Sequence, residues 1–581
     1  MLFGKNVNRY YLKYAHFFIL GLIALVMVDI YQLEIPEIIG NIIDGIKDAT
    51  ITSLIIKDFM KDLAIIVAIM FVGRFLWRVC IFGNGIRIEA DLRERLFAHS
   101  EKLDQTYYQE NKTGALMALY TNDLTTIRQA FASGTIMFVD ATLLGTLAMI
   151  RMIKIDLLMS LFASIPLLIL ALCGGIIGRY MRKKFEERQK SFADMSDFAQ
   201  ESISGISVIK AFVKEGKELL AFSKINRDYM DKNISFVKAS TLLQVLITAL
   251  ISLVIIVILG YGGYLVFQGT ITIGKLTAYI SYFGTLTWPM AAIAQLINMM
   301  SQAKASLKRI NDLLNHSIDV KDTAEPVTNH EFKGNITFSH LTFAYPKTEQ
   351  KVLEDITFEV KAGESLGIIG RTGSGKTTIV DLLLRVYNVE ENQIRLDDVD
   401  IMNLPIKDIR DHIAYVPQDN FLYSDTIRNN IDFAANTHDE DKIIKASIMA
   451  DVDKNIQEFA QGYDTILGER GVTVSGGQKQ RISIARALIK DATILVLDDA
   501  VSAVDTKTEE QILKNLKELR QGKTTILIAH RISTIQSCDK ILVLDEGKVV
   551  AFGPHKQLIK TNLLYAKMVK LQLLEDEVSQ S

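Results

Sequence analysis

The chain has 581 residues, of which 49% are hydrophobic, and carries 65 Lys and Arg against 67 Asp and Glu, a formal charge of −2. That length holds about two to four domains, and the slightly positive mean hydropathy is high for a purely soluble protein. With no basic excess to neutralise phosphates, the composition excludes general nucleic-acid binding.

The apolar residues fall mostly before about Val320, so the main domain boundary is placed there. Six segments are long and apolar enough to cross a hydrocarbon core as helices. They are Ala15–Ile35, Leu63–Gly83, Gly134–Ile153, Leu157–Gly178, Thr241–Phe267 and Gly274–Met300. The first is too long for a cleavable signal, and no small-residue cleavage site follows it. The connections after the second and fourth spans are long, charged and helical in pattern, as in "RYMRKKFEERQK" at Arg179–Lys190. Their Lys and Arg put them, the N-terminus and the C-terminal half in the cytoplasm, whereas the loop Glu37–Asp58 is mostly acidic among its charges and suits the outside. Cys80, Cys173 and Cys538 are far apart and lack ligand spacing, so they read as reduced thiols.

Ionisable groups inside the spans are costly and therefore draw notice. Asp29 and Glu34 lie in the first span, Arg74 and Arg78 one turn apart in the second, and Asp140 in the third, closest in depth to Arg78. They serve either to pair helices or to meet substrate. Ser281, Trp288, Gln295 and Met299 recur at helical spacing around Pro289, as a cavity lining or as a packing stripe.

After the boundary the texture is that of an α/β protein. "GIIGRTGSGKTTIVDLLL" follows an apolar strand and opens a helix, matching the phosphate-binding loop pattern from Gly370 to Thr377. Glycines let backbone N–H groups curl around phosphate oxygens, and the helix N-terminus adds partial positive charge. Gly370, Arg371, Thr372, Gly373, Ser374, Gly375, Lys376, Thr377 and Thr378 form this cradle, with Lys376 on the β- and γ-phosphates and the Thr377 hydroxyl on Mg²⁺. Downstream, the apolar strand "ILVLD" delivers Asp498, placed to hold Mg²⁺ as in nucleoside-triphosphate hydrolases.

Between these motifs lies "GERGVTVSGGQKQRISIARAL" (Gly468–Leu488), and beyond them "TTILIAHRIST" (Thr524–Thr534). The set resembles the nucleotide-binding domain of ATP-binding cassette (ABC) transporters, and the six spans before it resemble the membrane domain of their exporter branch. The resemblance covers nearly the whole chain. It implies an α-helical membrane domain over 1–320, a linker over 321–333 and an α/β P-loop cassette over 334–581. It also implies ATP and Mg²⁺ as cofactors, a bacterial cell-membrane location and a second half-transporter as partner.

Carried over residue by residue, the resemblance puts Tyr345 of "FAYP" against adenine, with a strand aromatic in a core as the alternative. Gln418 would sit near Mg²⁺ and relay nucleotide state, and His530 would hold the γ-phosphate and the attacking water. Ser475, Gly476, Gly477 and Gln478 would meet ATP on the other cassette, and Asp505 would cross the interface between cassettes. The stretches Gln105–Leu116 and Gly205–Lys214 would be coupling helices, and "TILGERG" (Thr465–Gly471) would sense the second of them.

Two positions depart from the family pattern. Val474 replaces the usual Leu at the head of the signature, a mild apolar change. Asp499 replaces the Glu that orients or deprotonates the attacking water. Losing one methylene withdraws that carboxylate by about 1.5 Å, and a misplacement of about 1 Å costs on the order of 100-fold in rate. The pattern resembles the degenerate-site subunit of heterodimeric multidrug exporters, in which a partner chain supplies the good site. A homodimer that tolerates Asp, a lipid flippase, a peptide exporter and a nucleotide-gated channel share the architecture. A channel would pass ion current at constant ATP, whereas a pump shows substrate-stimulated hydrolysis. The tail "LLEDEVSQS" reads as a frayed end.

Overall fold

The structure, a computed structural model, describes residues 5–580 apart from 329, 469, 470 and 472. It divides into two compact units, one of residues 1–98 with 114–315 and one of residues 99–113 with 316–581.

The first unit is helical throughout. A short helix, α1 (Lys5–Lys13), leads into α2 (Ala15–Lys47) and α3 (Ser53–Ser100). Among the described residues, four helical stretches are long and apolar enough to cross a membrane: Ala15–Lys47, Ser53–Ser100, Thr113–Ile155 and Glu215–Phe267. They contain the first, second, third and fifth expected spans. The fourth expected span lies on the helix Leu157–Ser204, and the side chains of 167–178, Cys173 included, fall outside the described residues. The sixth lies on the helix Ile273–Leu314. Helix starts follow local chemistry: Asp156 accepts from the Met159 N–H at 2.6 Å and Thr272 from the Lys275 N–H at 3.1 Å, each filling an end that has no intrahelical partner. Large apolar side chains such as Phe71, Val72 and Phe75 stand exposed on α3, a face that a bilayer would cover.

The third span is not a uniform α-helix. It runs Leu124–Val139, takes a π-helical turn over Asp140–Leu144, and resumes at Gly145–Ile155. Of the two stretches expected as coupling helices, the first is also broken and the second is a short single helix. The first divides into Gln105–Glu110 and Thr113–Ala118, and the second keeps only Ile206–Ala211 between the long helices. Asp140 does not pair with Arg78, as depth counting suggested. Its Oδ2 accepts from Trp288 Nε1 at 2.8 Å, while the Arg78 guanidinium lies 5.4 Å from the Trp77 ring centre.

The second unit is built on two sheets. Strands β1 (Ile336–Ala344), β2 (Lys351–Val360), β4 (Ile394–Leu396) and β5 (Val399–Asp400) form an antiparallel sheet in the order β2-β1-β4-β5. The six-stranded sheet has the order β10-β9-β3-β8-β7-β6, with β3 (Ser365–Gly370), β6 (Ile413–Val416), β7 (Ile494–Asp498), β8 (Thr524–Ile528), β9 (Lys540–Asp545) and β10 (Lys548–Gly553). All its pairings are parallel except β9 with β10. Its central strands are near-continuous apolar runs because both faces are covered. Alternation divides them cleanly: Leu495, Leu497 and Leu527 enter one core, while Ile494, Val496, Ile526 and Ile528 enter the other. The segment after Asn315 is tied down by the cassette, with Asn388 Nδ2 donating to the Asp319 carbonyl at 2.9 Å and Arg385 Nη2 to the Lys321 carbonyl at 3.0 Å.

Candidate functional site

Strands β3, β8 and β7 lie side by side and parallel, so the residues after their C-terminal ends gather along one sheet edge, where α/β sheets bind ligands. From β3 comes the loop Arg371–Gly375 and the helix Lys376–Leu383. Gly373 (φ +81°) and Gly375 (φ +94°) both sit in the left-handed region. At Gly375 a Cβ would lie 2.5 Å from Leu353 Cδ2, so the loop curls only with glycine there.

The cleft above this loop has a volume of about 350 Å³ and is lined by Tyr345, Thr372, Gly373, Ser374, Gly375, Lys376, Thr377, Thr378, Gln418, Asp498 and His530, with Val352. These residues are thus brought together as the motifs suggested. Lys376 is buried, and its Nζ donates to the carbonyls of Gly370 at 3.0 Å and Arg371 at 2.9 Å. Burial pulls its pKa down, and the carboxylates of Asp498 and Asp499 oppose that pull. Asp498 is 2% exposed. Burial lifts its pKa, while a hydrogen bond from Thr377 works the other way. Asp498 Oδ2 and Ser374 Oγ are buried with no hydrogen-bond partner among the described residues. A hydroxyl and an unsatisfied carboxylate oxygen beside a phosphate cradle fit a hard divalent cation that takes oxygen ligands.

Tyr345 follows β1 and is half-buried. Its hydroxyl is 2.9 Å from Thr378 Oγ1, and its ring packs edge-on against Phe343 and Tyr387 at 5.3 Å from each. Tyr387 in turn accepts from Gln109 Nε2 at 3.0 Å, and Lys347 Nζ contacts Glu110 at 2.6 Å. The helix Gln105–Glu110 is therefore tied to the cassette through Tyr387 and Lys347.

The remaining expected site residues do not line this cleft, although Asp499 is near enough for its charge to act on Lys376 and Asp498. Asp499 does not line it. Its φ of +49° lies in the left-handed region, which Asp enters more readily than most residues. Its N–H donates to the Ile528 carbonyl at 2.9 Å, which ties its backbone to β8. Ser475 caps the helix Gly476–Leu488 in a reciprocal capping box with Gln478, whose Oε1 accepts from the Ser475 N–H at 2.9 Å. A Cβ on Gly476 would meet nothing within 4 Å, so this helix start is open to an anion. Asp505 caps the next helix, accepting from the Thr508 N–H at 3.0 Å, and those contacts hold its pKa low. Val474 is buried in the larger core. Glu469 and Arg470 of "TILGERG" lie outside the described residues.

Two glutamines that sequence reasoning passed over organise the site. Gln480 is buried; its Oε1 accepts from the Ala503 N–H at 2.9 Å, and its Nε2 reaches the Asp499 carbonyl at 3.4 Å. Gln572, on the helix Leu563–Gln580, holds the backbone on both sides of Arg531. That helix runs through most of the tail expected to fray.

Residues 18–290 match the family described as ABC transporter transmembrane region, and residues 353–502 match the family described as ABC transporter. The chain is 36% identical over 572 residues to the "Probable multidrug resistance ABC transporter ATP-binding/permease protein YheI" of Bacillus subtilis (strain 168), covering 98% of this chain and 97% of that one. The chain belongs to the ABC transporter family. This ABC transporter is also 35% identical to the "Multidrug resistance-like ATP-binding protein MdlA" of Escherichia coli (strain K12), over 96% of this chain and 94% of that one. It is 34% identical to the "ATP-dependent lipid A-core flippase" of Syntrophus aciditrophicus (strain SB), over 85% and 82%. Its fold matches the solved "Structure of a bacterial Atm1-family ABC exporter with ATP bound" with a TM-score of 0.76 at 25% identity, covering 97% of this chain and 98% of that one. It is a membrane exporter with fused domains, and its ABC transporter cassette binds and hydrolyses ATP to drive transport.

Proposed function

We propose that this chain is one half of a two-chain exporter of hydrophobic or amphipathic small molecules, and that its own ATP site turns over slowly. The observation that carries this reading is the short carboxylate. Lys376, Thr377, Gln418, Asp498 and His530 line the phosphate cleft, and directly after Asp498 stands Asp499, one methylene shorter than Glu. ATP binds through the intact loop. In this reading Tyr345 stacks on adenine, and Thr377, Gln418 and Asp498 hold Mg²⁺, which neutralises phosphate charge when bound. Without a Glu, the attacking water beside His530 is poorly oriented.

The good site is then built from a partner's phosphate loop and Glu together with Ser475, Gly476, Gly477 and Gln478 of this chain. The open helix start at Gly476 supports that role. Asp505 lies at the cassette interface. ATP binding closes the cassettes, and the helix Gln105–Glu110, held by Tyr387 and Lys347, passes the movement on. Hydrolysis at the partner-derived site resets the cycle. The Lys and Arg of the long connections put the cassette and the N-terminus in the cytoplasm. The domains divide as 1–320, 321–333 and 334–581.

Purifying this chain at native abundance from cell membranes tests the pairing. The expected result is equimolar recovery of a second, non-identical half-transporter whose position after the metal-binding Asp is Glu. A pumping homodimer recovered alone would overturn it. The similarity to a lipid A-core flippase favours one second reading, lipid translocation. Inside-out vesicles of the complex separate the two by ATP-driven uptake of a fluorescent amphiphile against ATP-driven flipping of a labelled lipid.

A further inference from the structure

The helical unit buries two carboxylates that its own side chains leave partly unsatisfied. Asp29, on α2, is 3% exposed, and Asp140, which opens the π-helical turn, is 8% exposed. One oxygen of Asp140 is satisfied by Trp288 Nε1. Its other oxygen, and Oδ2 of Asp29, are buried with no hydrogen-bond partner among the described residues. The helix that carries Asp29 packs directly against the turn that Asp140 opens. An unpaired carboxylate in a low-dielectric surrounding is among the costliest groups a fold can bury, and such groups mark binding pathways.

The arginines nearby are largely committed elsewhere. Arg74 is within electrostatic reach of Asp29 but donates to Gln32 Oε1 at 3.3 Å. Arg78 lies over Trp77, and Arg151 pairs with both Glu34 and Glu37. Trp288 adds the second half of a recognition site. Its N–H is held by Asp140, which fixes the ring, yet the residue is 48% exposed and offers an indole face. A carboxylate pair beside an aromatic face is the chemistry that recognises an organic monocation. The helices are irregular at this level, through the π turn at Asp140 and through Pro289 beside Trp288.

We propose that Asp29, Asp140 and Trp288 form a seat for the cationic group of a transported amphiphile. The proposal rests on the amphiphile-export reading above and narrows its cargo to organic cations.

The test uses the purified complex of this chain with its partner half-transporter in phosphatidylcholine nanodiscs, with tetraphenylphosphonium as the cationic probe and triphenylphosphine oxide as its uncharged counterpart. In D29N/D140N, affinity for tetraphenylphosphonium should fall by about tenfold or more, with affinity for the neutral probe unchanged. D29E, which keeps the charge, should retain cation binding within about threefold of wild type. ATP binding by each variant verifies its fold, and removing unpaired buried charge favours folding. Undiminished cation binding in the double variant would overturn the seat and leave the export reading standing. So would equal loss of both probes, because the residues would then be structural. A wild-type complex that binds neither probe would overturn the amphiphile reading itself, and the seat with it.

Discussion

The side chain of Gln572 clasps the loop that carries His530: its Nε2 donates to the His530 carbonyl at 2.5 Å, and its Oε1 accepts from the Ile532 N–H at 2.6 Å. Both contacts act on backbone, so they set where the His530 ring can point without touching nucleotide. Gln572→Ala should leave ATP affinity within about twofold and lower the hydrolysis rate of an active complex by about three- to tenfold, because two hydrogen bonds of about 1 kcal/mol each no longer fix the loop. Steady-state ATPase assays beside nucleotide-binding titrations separate the two effects.

Gly375 has φ +94°, and an added Cβ would lie 2.5 Å from Leu353 and 3.2 Å from the Val352 carbonyl. Gly375→Ala should therefore lower stability by at least about 1–2 kcal/mol through the backbone alone. ATP binding should disappear with the loop conformation. Gly373 shares the positive φ but has open space around it, so Gly373→Ala should cost less. Thermal shift with and without ATP compares them.

Gln480 joins the helix Gly476–Leu488 to the segment after β7. Its amide satisfies the Ala503 N–H and contacts the Asp499 carbonyl and the Ser502 hydroxyl. Gln480→Leu would remove the acceptor of the Ala503 N–H, at a cost of about 0.5–1.5 kcal/mol. The apparent melting temperature should fall accordingly, and hydrogen exchange at Ala503 should speed up while exchange in β3 stays slow.

Asp381 gives the cassette a pH signature. Burial, with the charge of Asp498, lifts its folded pKa from 3.8 to about 6. The folded state then holds that proton more tightly than the unfolded chain, so its contribution to stability is full below pH 3.8 and is lost as pH rises through about 6. The loss is on the order of 2–3 kcal/mol. Asp381→Asn should flatten the decline between those values and raise the apparent melting temperature at pH 7.5 without metal. Melting curves from pH 4 to 8 on both proteins check it.

How much of this was legible in the sequence follows the range of the interactions. The cradle was legible because Gly370 to Thr377 act on one another locally, and β7 and β8 because both of their faces are buried in apolar runs. Long membrane helices were legible from length alone. The breaks at 111–112 and 205 were not, because a helical pattern of side chains does not record where the backbone turns. Asp140 illustrates a second limit. Depth counting offered Arg78, but depth alone does not say which helix a side chain faces, and its partner is a tryptophan 148 residues away. Gln572 and Gln480 act on backbone atoms of distant segments, and nothing in the residues around them signals such a contact.

The central claim is that Asp499 limits this chain's own ATP site. The direct measurement is ATPase activity of the purified chain alone in liposomes, beside Asp499→Glu, with both proteins saturated with MgATP. The account predicts a nearly inactive wild type and a gain of about ten- to a hundredfold in the variant, the scale of a carboxylate misplaced by one bond. A wild type that already turns over at about 1–10 s⁻¹, within the ordinary enzyme range, would contradict it and make Asp499 a working base in a homodimer.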